Sequence, residues 1–293
     1  MTLRTAAFAA ALLALGPATA HAQARNTFSA PTGELGANLS TDPTQISRMH
    51  GELSFYTGSQ GNVTGNALVL QVGGGVKVTR NLEIAGGVTG HGFIQSQNGV
   101  TTDRFAFGNL LLGVNYVRAI NPQFRFKVGG FLGFGPWNYQ NNQSTTEGFV
   151  QNITGLATHA FQDLWYHTPN LVHLVVPARL EYDVTSSFVL TGDAQADLGI
   201  GLGNSSTGFL FIFAPGAAYW ASDSFSLGLR LPLQFQSFGG DGTQVSLEPY
   251  ARFELGETGF LSTRFTLNLD DPYGFSFDTG KVWGLHVALG GHF

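Results

Sequence analysis

Chemistry in this chain has to come from imidazoles, carboxylates and hydroxyls, because there is no cysteine. That excludes a thiol nucleophile and thiolate metal sites. A hydrolase needs a nucleophile, a histidine and an orienting polar group in contact. His91, His173 and His286 are far apart in sequence, and each falls on the polar face of an alternating run. No histidine on an apolar face adjoins a serine. Asp270-Asp271 reads as a turn or a solvated edge rather than an acid pair for proteolysis. With Asp278 it lacks the spacing of a Ca²⁺ loop. Gly73-Gly74-Gly75 lies inside a strand pattern with no helix after it, so it bends a sheet rather than cradling phosphate. No enzyme activity, metal or cofactor is expected.

The charged residues carry a different message. Over 244–256, Ser246, Glu248, Tyr250, Arg252 and Glu254 alternate with Val245, Leu247, Pro249, Ala251, Phe253 and Leu255. The following run puts Ser262, Arg264, Thr266 and Asn268 on one face, and Leu261, Thr263, Phe265, Leu267 and Leu269 on the other. Arg264 is thereby expected near Glu254 or Arg252 across a hairpin. Over 169–184 the polar face holds His173, Arg179, Glu181 and Asp183, with Val175 and Pro177. Over 188–200 it holds Thr191, Asp193, Gln195 and Asp197. Gln71, Lys77, Glu83, His91, Arg125, Lys127, Arg230 and Gln234 extend the same face. A period of two is a β-strand with its faces in different media. Only 207–220 is apolar on both faces.

Short polar turns organise these runs. They are Thr79-Arg80-Asn81, Asn121-Pro122-Gln123, Thr185-Ser186-Ser187, Ser222-Asp223-Ser224 and Glu257-Thr258-Gly259. Leu82, Phe124, Phe188, Phe225 and Phe260 follow them, and with Phe293 predict one aromatic girdle. Asp223 to Thr258 and Thr258 to Phe293 are equal spans, each long enough for two strands and a loop. The strands are expected near 49–58, 66–78, 82–94, 104–118, 124–136, 169–184, 188–200, 207–220, 225–237, 244–256, 260–270 and 280–293. Ten or fourteen strands are the alternatives. In the long connection 137–168, Phe149, Ile153, Leu156, Ala160 and Leu164 recur at helical spacing. It is expected to hold a short helix that narrows the mouth or lies over the rim.

Both ends of the chain agree on an address. Arg4, the uncharged Ala6 to Leu15 stretch and Ala20-His21-Ala22 form a secretory signal peptide over 1–22. Its removal changes the formal charge from −5 to −6, which gives no footprint for nucleic acid. Only 11% of residues are charged, with 40 Gly and 25 Phe, a composition suited to strands between lipid and a crowded interior. Beyond the signal no run reaches the roughly 18 apolar residues of a helical span. The last strand alternates Trp283, Leu285, Val287, Leu289, Gly291 and Phe293 with Gly284, His286, Ala288, Gly290 and His292.

A cleaved signal and a terminal aromatic strand resemble the outer-membrane β-barrel proteins of Gram-negative bacteria. The resemblance implies an all-β fold, an up-and-down antiparallel transmembrane barrel of about twelve strands over 48–293. It implies periplasmic termini, a periplasmic tail over 23–47, and contact with outer-membrane lipids and lipopolysaccharide. It also implies that the barrel assembly machinery reads the Phe293 strand. Lumen-lining candidates are then Arg179, Glu181, Asp193, Gln195, Asp197, Arg230, Glu248, Tyr250, Arg252, Glu254 and Arg264. Candidates for a loop constriction are Phe149, Ile153, Leu156, Trp165 and Tyr166. The acids Glu181, Asp193 and Asp197 are expected to oppose Arg179, Arg230, Arg252 and Arg264 across the passage. The function expected is a porin-like channel for small polar or amphipathic solutes. The alternatives are a structural or surface-interaction barrel with a plugged lumen and, third, an outer-membrane enzyme.

Overall fold

The computed structural model describes residues 47–60, 63–97, 100–135, 171–202, 207–237, 242–256, 258–269 and 283–292. The signal peptide, the tail, the 137–168 connection with its helical spacing, Asp270, Asp271, Asp278 and Phe293 lie outside them. Nearly everything described is strand: β1 (Ser47–Gln60), β2 (Val63–Lys77), β3 (Leu82–Gln97), β4 (Val100–Asn121), β5 (Phe124–Phe134), β6 (Leu171–Asp183), β7 (Phe188–Gly201), β8 (Gly208–Ser222), β9 (Phe225–Arg230), β10 (Leu233–Gln236), β11 (Gly242–Leu255), β12 (Gly259–Asn268) and β13 (Trp283–His292). Neighbours in sequence pair antiparallel, β9 and β10 excepted, and β1 pairs with β13, so the sheet closes on itself. Closure leaves no unpaired edge, which a bilayer requires.

β9 and β10 are one stave of the wall. Both pair with β8 on one side and β11 on the other. The register runs on unbroken, from Gly216↔Arg230 to Phe213↔Leu233, and from Arg230↔Glu248 to Leu233↔Val245. The break is local, because Pro232 has no N–H to donate. Leu231 N still donates to Pro215 O at 2.9 Å, and Pro232 O accepts from Ser246 N at 3.0 Å. The barrel therefore has twelve strands.

The turns form for a shared reason. Asn121 Oδ1 accepts from Gln123 N at 2.9 Å and Phe124 N at 2.8 Å. Thr79 Oγ1 does the same for Asn81 and Leu82, and Thr185 Oγ1 for Ser187 and Phe188. These side chains satisfy amides that the ladder leaves free. The fifth turn is built differently, around Gly256 at φ 74°, a left-handed conformation that glycine adopts without strain.

The two faces separate as alternation requires. Leu174, Val176, Leu180, Leu229 and Leu285 stand exposed on the outer wall, while His173, Arg179, Glu181, Arg230 and His286 are buried inside. Aromatic rings flank the aliphatic band. At the turn end Phe225 stacks near Phe253 with centroids 4.7 Å apart, and Tyr116 lies 5.9 Å from Phe126. At the loop end Trp283 lies 5.7 Å from both Phe55 and Phe265.

Phe260 corrects the expected girdle. It points inward, is buried, and lies under Arg252, whose guanidinium carbon is 4.1 Å from the ring centroid. The strand starts at Gly259, so Phe260 is its second residue rather than its first. Its register partner is the inward Glu254.

Candidate functional site

The interior is lined by a belt of ion pairs that passes from strand to strand. Asp183 on β6 accepts two bonds from Arg125 on β5, at 2.7 and 2.8 Å. Arg125 Nε reaches Glu181 at 3.4 Å, and Glu181 accepts from Arg179 Nε at 2.7 Å. Arg179 Nη1 donates to Asp193 on β7 at 3.2 Å. Asp193 lies 3.2 Å from Arg230 Nε on β9, and Arg230 Nη1 donates to Glu248 on β11 at 2.9 Å. Glu248 also lies 3.7 Å from Arg264 on β12, which donates to Glu52 on β1 at 3.2 Å. Acid and base thus alternate around much of the circumference.

The alternation revises two expectations. Acids and bases are interleaved along the wall, not segregated on opposite sides of the passage. Adjacent strands are about 4.8 Å apart, so an Arg finds its acid next door or two strands away. Arg264 stands opposite Tyr250, with Arg252 the next inward residue along β11 and Glu254 one further, and its guanidinium turns to Glu52 and Glu248. Glu254 is taken by Arg252 from its own strand, at 2.7 Å.

Glycines on the lumen face make this reach possible. Gly75 on β2 lies under Glu83, and a Cβ there would collide with the Glu83 carboxylate. Over that gap Glu83 on β3 meets Arg48 on β1 and accepts from Asn115 Nδ2 at 3.1 Å. Gly216 on β8 sits beneath the bridge from Arg230 to Asp193, its Cβ position 2.9 Å from Arg230 Cγ. Gly284 on β13 lies under Tyr56, whose ring is 2.6 Å from a Cβ at that site. Within the Gly73-Gly74-Gly75 run, Gly75 therefore clears space for the Glu83 side chain. We expect Gly284→Val to cost about 1–3 kcal/mol by overpacking against Tyr56, read as a lower urea midpoint for loss of the folded, fast-migrating band on unheated gels.

A polar knot ends the belt at β1 and β13. His286 Nδ1 lies 2.9 Å from Glu52 Oε1, 2.9 Å from Arg264 Nη2 and 3.0 Å from Ser54 Oγ. Its Nε2 is 3.1 Å from Thr266 Oγ1, which donates to Glu248 at 2.7 Å. Serine, histidine and acid therefore meet here, but not as a catalytic relay. Ser54 and Glu52 both crowd Nδ1, and Ser54 donates its proton to Glu52. A relay needs a nucleophile that gives its proton to one ring nitrogen and an acid on the other; Thr266 sits on Nε2 opposite Glu52, but its hydroxyl donates to Glu248 instead. Glu52 and Ser54 were absent from the candidates drawn from the charge pattern, although the alternation of β1 marks both as inward.

The remaining candidates fall into place around the belt. Asp197 pairs with His173 Nδ1 at 3.0 Å, near the loop end of β6. Gln195 and Tyr250 share the lumen face, as do Gln71, Lys127 and Gln234. The inward placement expected of His91 falls on a side chain that is not described. Phe149, Ile153, Leu156, Trp165 and Tyr166 lie outside the described residues. The inner face of β8 is apolar, with Leu210, Ile212, Ala214 and Ala218 buried, so one wall of the lumen is greasy. Among the described residues no cluster of His, Asp or Glu has a metal-binding arrangement.

No protein-family model matches the sequence, and no curated protein matches it. Solved structures do match the fold. An outer-membrane channel from Pseudomonas putida F1 superposes with TM-score 0.62 at 12% identity, covering 90% of this chain and 100% of that one. The NanC porin aligns at TM-score 0.48 and 8% identity, over 82% of this chain and 98% of its own. The transport unit of the autotransporter AIDA-I from Escherichia coli gives TM-score 0.48 and 11% identity, over 86% and 91%. Such identities speak to architecture alone. In that architecture, with a closed antiparallel wall, an apolar exterior and a charged interior, this chain is a β-barrel of the bacterial outer-membrane type.

Proposed function

We propose that the protein is an outer-membrane channel for small polar or amphipathic solutes. The observation that carries this reading is the belt from Asp183 to Glu52. It lines a closed barrel with paired charge while the outer wall is apolar. Pairing acids with bases holds long side chains against the wall and suits a narrow polar route. The buried inner face of β8 adds an apolar strip along which a solute with an aromatic or aliphatic part can slide. The superposition on an outer-membrane channel supports the same reading.

A second reading draws on a specific observation. Glu181, Glu248, Asp197 and His173 are 0% exposed, which favours a lumen closed by its own side chains. A barrel so filled would be structural, since charged networks fill small barrels. Liposome swelling separates the two. Vesicles carrying the channel should swell in glycine and in small sugars, faster for smaller solutes. Swelling no faster than protein-free vesicles supports the filled barrel.

A further inference from the structure

Lys127 stands apart from the other lumen cations. It is 2% exposed, and its Nζ has no hydrogen-bond partner among the described residues. Its register partner on β6 is Arg179, so two like charges face each other across neighbouring strands. Such a pair is destabilising unless something lies between them. The charged groups acting most strongly on Lys127 are Arg48, Glu83, Arg179 and Asp193. Both acids are already committed. Glu83 is held by Arg48 and Asn115, and Asp193 by Arg179 and Arg230. Arg48 Nη1 and Arg179 Nη2 have no partner among the described residues, and the same holds for Tyr250 Oη. Arg179 also acts on Tyr250, which places that hydroxyl at the same part of the wall.

Glu181 is likewise taken by Arg179 at 2.7 Å, so each nearby acid is held by an arginine and Lys127 has no acid at hydrogen-bond distance among the described residues. The donors left open are N–H and O–H groups in a dry setting, where an unpaired charge is costly. A group with one negative charge and two acceptor oxygens answers both deficits. We propose that Lys127, with Arg48 and Arg179, forms a lumen site for the carboxylate of a small organic solute. A dianionic phosphate would set a second negative charge beside Glu83, Glu181 and Asp193. The site names the solute class of the channel proposed above and rests on that reading for its purpose. Binding itself does not depend on conduction.

Equilibrium dialysis of the full mature protein in non-ionic detergent tests the site, with radiolabelled benzoate as probe and benzyl alcohol as neutral control. Benzoate should bind saturably, and Lys127→Met should weaken it by about tenfold or more. Lys127→Arg should retain most of the affinity, and benzyl alcohol should not bind saturably. Folding of each variant is checked by its faster migration unheated, and Lys127→Gln takes the place of Lys127→Met should that variant not fold. Unchanged benzoate binding in the neutral variant overturns the proposal. So does saturable binding of benzyl alcohol, or no benzoate binding by the parent protein. Conductance measured in parallel keeps the two readings apart. Binding without conductance sinks only the channel, and conductance without binding sinks only the site.

Discussion

Arg264→Leu should lower stability by about 3–5 kcal/mol, the usual cost of stranding a buried charge. Arg264 is the cation that ties β12 to both β1 and β11. It donates to Glu52 and lies near Glu248 and His286. Glu248 keeps Arg230 and Thr266 after the change. Among the described residues Glu52 keeps Ser54 and the His286 ring, and it is buried. The penalty therefore falls on Glu52. Replacing both members, Arg264→Leu with Glu52→Leu, should recover much of the loss, because an apolar pair of similar volume is often no worse than a buried ion pair. Urea titration followed by the unheated gel shift reads both effects. A single variant as stable as the parent would mean that the belt is not holding charge in a dry interior.

Val176→Arg should destabilise the folded barrel by about 2–4 kcal/mol in a bilayer. Val176 lies midway along β6 on the outer wall and is 43% exposed. In water such a site would accept Arg at little cost. In hydrocarbon the guanidinium must snorkel or deform the lipid. Ile120→Arg is the depth control. Ile120 is 57% exposed and stands beside the Asn121 turn, so the same change there should cost about 0–1 kcal/mol. The contrast between the two positions is what matters. Equal, small effects in lipid vesicles would contradict an outer wall in hydrocarbon.

Much of this architecture is legible in the sequence, because a barrel wall has a period of two and nothing else. Alternation in 244–256 places Glu248, Arg252 and Glu254 on one face, and the structure puts that face inward. Turn chemistry is local, so Asn121-Pro122-Gln123 and Thr185-Ser186-Ser187 mark true hairpins. Phe260 shows where a local reading slips. The turn before it ends one residue earlier than its composition suggests, and one residue exchanges lipid for lumen. Partner choice was not legible. Which acid Arg264 takes depends on stagger across several strands, on the tilt of the barrel and on the gaps left by Gly75, Gly216 and Gly284. Alternation marks a face but carries no information about these lateral distances. A lumen-facing glycine beside a long charged residue two strands away is the signal that would have revealed them.

Planar-bilayer recording of the purified chain tests the channel most directly. The account predicts stepwise conductance increments from single molecules, small for a barrel whose interior is crossed by paired side chains. A membrane that stays silent on insertion, both for the full chain and for one with 137–168 deleted, would contradict it.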